Sequence, residues 1–374
     1  MEWVYLIFAA FYSAVIFYFF VGLFRTSPSG AGEFLTVSVL VPARNEAPNI
    51  GKCLQSLDKQ TYHRDRFEVV VIDDQSSDST AEVVQEFIRK KPNFKLLRHK
   101  PTLDQPTFKK QALKFALQQV KSDIVMTIDA DTIAQPDWIM NMVAQYDERT
   151  GLLAGLVTFL PESEKRIFHK LQTLEFAGIV FCGMGSAANN RPIMCNGSNL
   201  SYRRKAFEEV GGYDGHLHLP SGDDDLLMQN IHSRTDWQVK YSLDPKTINY
   251  TTPVNSVSGF LNQRARWASK SIHYPSKWIS AMLFSIYLFY LQTLFCLPAA
   301  VAGFVDIRFF LIGILLKMVP EFLIILKALK VLNRLDLLSY FLLGEVFQVP
   351  YILYAGLMGF LHKYSWKDRK RVIP

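Results

Sequence analysis

Two aspartates two positions apart, Asp129 and Asp131, close the apolar run IVMTI at 124–128. Leaving an extended strand at alternate positions, their side chains share a face. Like charges that near are unfavourable unless a cation sits beside them. Carboxylate oxygens with few nitrogen or sulfur donors suit Mg2+ or Mn2+ rather than zinc. Such a cation completes its shell with water and phosphate oxygens, so the implied ligand carries a diphosphate. A lone D-x-D is as readily a loop turn or a helix cap; its place after a buried strand, with two further polar clusters, favours the metal. Those clusters are Pro42, Arg44, Asn45 and Glu46 after the run 36–41, and Asp73 and Asp74 after the run 67–72. Asp73 and Asp74 are placed to accept hydrogen bonds from a base or ribose, while Ser77 or Asp78 alone supplies a cap for the next helix. The run SGDDDL at 221–226 adds Asp223, Asp224 and Asp225. Compensation of a helix dipole accounts for Asp224 and Asp225. A preceding glycine and a following apolar stretch also give the group a partly buried seat suited to a general base. Neither G-x-G-x-x-G nor G-x-x-x-x-G-K-[ST] occurs, which argues against a dinucleotide-binding or P-loop enzyme.

These groups need a scaffold that gathers strand ends. Val/Ile runs at 36–41, 67–72 and 124–128 alternate with helical patterns at 48–57, 80–90 and 109–120, with another helix opening at Pro136. Continuous apolar strands alternating with helices predict an α/β domain, a mostly parallel sheet covered on both faces. In such sheets ligands bind outside the carboxyl ends of the strands, where all three polar clusters fall.

The rest of the chain is apolar. Of 374 residues 49% are hydrophobic and 20% charged, below the ~25% charge of an ordinary soluble chain. So much apolar surface excludes a disordered protein. The 4 cysteines, in no paired short spacing, exclude a disulfide scaffold and a zinc ribbon. Lys+Arg 41 against Asp+Glu 34 leaves +7, which suits a membrane surface or phosphorylated ligands without demanding nucleic acid. The uncharged stretch 3–24 reads as a transmembrane anchor. A cleaved signal peptide fits less well, given bulky aromatics, no basic start and no small-x-small site. Glu2 before the anchor and Arg25 after it place the α/β domain in the cytoplasm. Stretches 278–304, 309–332 and 337–361 repeat the signal. The third holds Glu345, Gln348 and Pro350 and leads into a basic tail; it reads as a true span, with a re-entrant segment as the alternative that keeps the tail inside. Lys317 and Glu321, one turn apart, read as an internal pair. The resulting division is an anchor at 1–25, an α/β domain at 33–250, an interfacial segment at 251–277, an apolar region at 278–362 and a basic tail at 363–374.

The ordered motifs resemble glycosyltransferase family 2, in its membrane-bound branch with the GT-A nucleotide-diphospho-sugar transferase fold. VSVLVPARNEAPNIGKCLQSL at 37–57 is similar to that family's opening strand, turn and helix, and VVVIDDQSSDST at 69–80 to its nucleotide segment. Lys109, Ala112 and Leu113 fit K-x-x-A-L, and IDADT fits the metal-binding D-x-D. Asn196, Gly197, Ser198 and Asn199, with the following LSYRR and the VGGY at 210–213, resemble the acceptor-side segment. Gln263, Arg266 and Trp267 complete Q-x-x-R-W. The resemblance implies inverting transfer from a nucleotide diphosphate sugar, usually a UDP-sugar. It places Pro42, Arg44, Glu46, Asp73, Asp74 and Lys109 at the nucleotide sugar, Asp129 near ribose and metal, and Asp131 on the Mn2+ or Mg2+. Gly222 and Asp223 stand where the family commonly has Glu and Asp, so Asp223 is assigned the base with Asp224 as rival. Arg266 would close over the diphosphate and Trp267 over the acceptor; an interfacial Arg/Trp pair ahead of a span is the plainer reading of those two. The expected protein is an integral membrane enzyme of the cell or inner membrane, glycosylating a lipid hydroxyl or phosphate. A processive polysaccharide synthase is the alternative, and a non-catalytic nucleotide-sugar-binding subunit of an envelope complex the third.

Overall fold

The computed structural model describes residues 2–25, 35–100, 108–217, 219, 221–366 and 369–370. The first residues of the 33–250 assignment and half of the basic tail lie outside them. The chain forms two compact units. One takes in 27–161 and 194–252 with the last residues; the other takes in 1–26, 162–193 and 253–365.

The first unit is built on β1 (Val37–Ala43), α2 (Ile50–Asp58), β2 (Phe67–Asp73), α3 (Thr80–Ile88), β3 (Phe94–Arg98), α4 (Lys109–Leu117), β4 (Ile124–Thr127), α5 (Trp138–Val143), β5 (Thr150–Ala154) and β6 (Val157–Phe159). It resumes with β7 (Leu200–Arg203), α7 (Arg204–Glu209), α8 (Asp225–Arg234), β8 (Gln238–Tyr241) and β9 (Asn249–Thr251). Seven strands form one sheet in the order β3-β2-β1-β4-β7-β5-β8. β1 runs parallel to β2 and β4, β5 parallel to β8, and β7 lies antiparallel between β4 and β5. The expected mostly parallel sheet is thus present, with one reversed strand, β7, inside it.

Burial explains why these runs are strands. Val37, Val39, Val41, Val69, Val71, Ile124 and Met126 share a core with Ile50, Leu54 and Leu57 of α2, Val84 of α3, and Trp138 and Met142 of α5. Leu40, Val70, Ile72 and Val125, of the opposite parity, are equally buried, and α4 packs on β1 and β2. Both faces are therefore covered, which requires continuous rather than alternating apolar runs. Trp138 is fully buried, and its indole N–H donates to Asn199 Oδ1 at 2.9 Å. Left unpaired there, that N–H would cost about 1–3 kcal/mol.

The second unit holds α1 (Glu2–Gly22), α6 (Ile167–Ala188), α9 (Val257–Ala268), α10 (Lys277–Val301), α11 (Ile307–Val331) and α12 (Phe341–Phe360). Among the described residues five helices, all of these but α9, are long and apolar enough to cross a membrane, counting 335–360 as one with α12. Four correspond to the stretches expected from the sequence. The fifth, α6, falls inside the segment read as α/β domain, yet it packs with α1 and α11. It cannot be a lone crossing. The chain enters it from β6 and leaves it for β7, and β7 is hydrogen-bonded to β5; a single passage would part these strands across the bilayer. Gly22 and Gly185 let α1 and α6 touch, since a Cβ on Gly185 would lie 2.0 Å from Phe19 O. Small residues at such crossings permit close backbone packing in lipid.

Lys317 pairs with Glu321 at 3.0 Å, as the spacing suggested, and also with Glu345 and Gln348 of α12. Glu321 accepts from Tyr12 as well. The polar residues of the third C-terminal stretch are thus satisfied inside the bundle, and α12 runs unbroken through Pro350. By contrast Trp3, Ile7, Phe284, Phe295, Leu315 and Val346 are exposed, an apolar surface of the kind that faces lipid.

Candidate active site

The site lies at the carboxyl edge of the sheet, where the loops after β1 and β2 are laced together. Ala43 and Asp73 are register partners, one residue past the Pro42–Ile72 pair. The Arg44 guanidinium donates to Asp74 O at 2.8 Å. Ser77 N donates to Asn45 Oδ1 at 2.8 Å, and Glu46 N to Thr80 Oγ1 at 2.8 Å. Asn45 and Gln75 take positive φ of 52° and 60° to make these turns. Asp73 accepts from Ser76 N at 3.1 Å, and Asp74 faces His99 Nδ1 at 3.0 Å. Asp78 makes a local turn contact, accepting from Thr80 N at 3.0 Å, but the N-cap of α3 is Ser79, whose side chain makes no capping hydrogen bond, so neither Ser77 nor Asp78 is the cap.

β4 ends just before the D-x-D pair. Asp131 is exposed. Both oxygens of Asp129 are engaged: Oδ1 accepts from Lys109 Nζ at 2.7 Å and Oδ2 from the Ser198 hydroxyl. Beneath them, burial pushes the Cys53 thiol up, and the negative charges of Asp131, Asp129 and Glu46 add to it.

Lys109 opens α4 and bridges to the acidic run, its Nζ lying 2.8 Å from Asp223 Oδ2. The turn that presents Asp223 depends on Gly222, at φ 94°, where a Cβ would also strike Leu226 at 2.6 Å. Asp224 and Asp225 have other partners. Asp224 is the N-cap of α8, accepting from Asp225 N at 2.7 Å and from Gly197 N at 3.3 Å. Asp225, 2% exposed, accepts from Cys195 N at 2.7 Å. Lys110 anchors the same loop by donating to Ser221 O at 2.9 Å. A Cβ on Gly197 would meet both Asp223 Oδ2 and Lys109 Nζ at 3.0 Å, so the acceptor-side segment lies against the ion pairs. Within it Asn196 caps Ser198 N at 2.9 Å. Asn199 faces inward, fully buried, donating to Leu156 O and Thr247 O at 2.7 Å; its role in this structure is to hold strands together.

Burial works to raise the Asp129 carboxyl, but the Lys109 ammonium and the hydrogen bonds from Lys109 and Ser198 outweigh it and hold Asp129 below its ordinary value. Burial alone would lower Lys109; Asp129 and Asp223 instead push it up. A depressed carboxylate contributes stability above its unfolded pKa near ~3.9, lost as pH falls through the folded value. A raised ammonium contributes below ~10.4 and loses its share as pH rises through its own folded value. Lys109→Met should thus destabilise the EDTA-treated protein between about pH 5 and 10 by about 2 kcal/mol, with the difference shrinking in acid. The figure is set below that of a fully buried pair because the Asp129 side chain is 36% exposed. Thermal unfolding across pH measures it.

Gln263, Arg266 and Trp267 belong to the helical unit, on α9. There Gln263 Oε1 accepts from Arg264 at 2.6 Å, and Trp267 packs on Arg264 and Phe176. Sequence reasoning does not mark Arg264, Lys110 or His99. Only Arg264 carries a signal, its place inside Q-x-x-R-W.

Among the described residues no three His, Cys, Asp or Glu side chains close a complete cation cage. One exposed carboxylate beside a second fits a hard cation that takes its other ligands from water and a diphosphate. Asp131, with Asp129 behind it, is that donor set.

Residues 38–211 match the family described as glycosyl transferase family 2. A poly-beta-1,6-N-acetyl-D-glucosamine synthase of Staphylococcus epidermidis is 28% identical over 239 residues, 62% of this chain and 53% of that protein. The probable glycosyltransferase YdaM of Bacillus subtilis (strain 168) is 25% identical over 240 residues, 63% of this chain and 55% of that one. The chain thus spans about half the length of these curated relatives. Among solved structures, a mannosyltransferase from Pyrobaculum calidifontis in complex with GDP-Man and Mn2+ superposes with a TM-score of 0.59 at 18% identity, covering 98% of this chain and 99% of that one. The fold is GT-A.

Proposed function

Because residues 38–211 belong to glycosyl transferase family 2, we propose that this glycosyltransferase is an integral-membrane, inverting enzyme with its catalytic domain in the cytoplasm. It moves a sugar from a nucleotide diphosphate sugar, a UDP-sugar first of all, to a hydroxyl or phosphate of a lipid at the membrane surface. The observation that carries this reading is the Lys109 bridge, which brings the D-x-D carboxylate Asp129 and the candidate base Asp223 to one ammonium.

Arg44, Glu46, Asp73 and Asp74 line the nucleotide side of the sheet edge. Asp131 and Asp129 would hold Mn2+ or Mg2+, which when bound offsets the charge that grows on the departing diphosphate. Asp223 takes the proton of an acceptor hydroxyl onto its carboxylate as that oxygen attacks the anomeric carbon from the face opposite the diphosphate, so configuration inverts. An acceptor phosphate is already ionised and needs no base. Lys109 pairs with Asp223, and a diphosphate arriving beside Asp129 competes for the same ammonium. The α9 residues Gln263, Arg266 and Trp267 are assigned to the diphosphate and acceptor, and the exposed apolar helices to the lipid environment.

The names of the relatives favour a second reading, a processive polysaccharide synthase. Product analysis separates the two. Purified protein with Mn2+, a panel of UDP- and GDP-sugars and total membrane lipid extract should give one glycolipid by mass spectrometry. A ladder of products spaced by one sugar would select the synthase instead.

A further inference from the structure

We propose that Arg264 is a positioning residue. Its ion pair with Glu175 of α6 fixes the side chains of Gln263 and Trp267 for the acceptor step, an inference that rests on the proposed assignment of α9 to the acceptor. Arg264 is 4% exposed. Its Nε donates to Glu175 Oε1 at 2.8 Å and one terminal nitrogen to Glu175 Oε2, a two-pronged contact. The other terminal nitrogen donates to Gln263 Oε1 at 2.6 Å. The guanidinium carbon lies 4.2 Å from the Trp267 ring centroid and 4.5 Å from that of Phe260. Trp267 also meets Phe176, with ring centroids 5.9 Å apart. Glu175 is steadied in turn by the Tyr351 hydroxyl of α12, which donates to Oε1 at 3.0 Å. The α9 backbone is fixed as well, because a Cβ on Gly359 would lie 2.7 Å from Ala265 O.

One planar cation therefore sets the orientation of both motif side chains, one by a hydrogen bond and the other by stacking. Only arginine can fork onto a carboxylate and stack on an indole together; lysine keeps the charge and loses both. Stability alone is a weak reason for such a pair, since apolar residues of similar volume in place of a buried ion pair are often neutral or stabilising. What the pair supplies is geometry.

The test compares Arg264→Lys with the double variant Arg264→Met, Glu175→Leu, which leaves no buried charge unpaired. Each protein carries 5-fluorotryptophan, with the Trp267 resonance assigned from Trp267→Phe. Both variants should keep the wild-type melting temperature and nucleotide-sugar KM. Both should shift and broaden the Trp267 fluorine resonance and lower kcat with total membrane lipid extract on the order of tenfold, the cost of a modest misplacement. An unmoved Trp267 resonance in both variants overturns the proposal, as does a moved resonance with unchanged kcat. Trp267→Ala serves as the separate control. If it transfers at the wild-type rate, the acceptor-side reading fails, whereas the fluorine spectrum still decides whether Arg264 holds the ring.

Discussion

Asp223→Asn should lower kcat for transfer to an acceptor hydroxyl by about 10²–10⁴-fold, the range for removing a general base, with the nucleotide-sugar KM nearly unchanged. Asparagine keeps the shape and can still meet Lys109, so the loss isolates proton acceptance from packing. Asp224→Asn is the comparison that gives this result its meaning. Asp224 caps α8 and accepts from Gly197 N, and asparagine is an equally good cap. That variant should keep its rate to within a few-fold, while Asp224→Ala loses about 1 kcal/mol of stability. Steady-state kinetics of the three proteins check both expectations. The reverse order, with Asp224→Asn inactive and Asp223→Asn active, would move the base by one residue. A lipid phosphate acceptor would leave Asp223→Asn active, because no proton has to be removed.

Asp131→Ala should abolish the response to divalent cations and cut transfer by about 10³-fold. That equals roughly 4 kcal/mol of transition-state stabilisation, within the several kcal/mol a Lewis acid supplies. Asp131 is exposed, accepting from the Thr132 hydroxyl at 3.4 Å, whereas Asp129 is tied to Lys109 and Ser198 at the foot of the site, so the two alanine variants should differ in kind. Asp131→Ala should fold with wild-type stability and lose Mn2+ binding, read by the electron paramagnetic resonance of Mn2+ with UDP or GDP present. Asp129→Ala should lose stability too, because it leaves the Lys109 ammonium with one fewer partner.

Much of this arrangement is legible along the chain. β1, β2 and β4 are continuous apolar runs that bury both faces, and each ends in a polar cluster; a parallel sheet makes such clusters neighbours. The Lys317–Glu321 pair follows from one helical turn of spacing. The features that cannot be read this way depend on long-range topology. β7 is four residues long and lies antiparallel between β4 and β5; its placement is what carries Gly197 and Ser198 to Asp129. Asp223 arrives from a turn before α8, and nothing local in the sequence says that Lys109 meets it. α6 is hidden by its own composition. His169, Lys170, Gln172 and Glu175 interrupt its apolar face, and its peak mean hydropathy is 1.2 against 2.2 for α1. Its polar residues are those that hold the bundle together, Glu175 on Arg264 and Gln172 on Val254.

The most direct measurement is nucleotide diphosphate release by the purified chain with Mn2+, a panel of UDP- and GDP-sugars and total membrane lipid extract. The expected result is release from one donor that requires both the lipid extract and the cation, and that falls to background in Asp131→Ala. Release from no donor above the Asp131→Ala background, with or without lipid, would contradict a metal-assisted sugar transfer at this site.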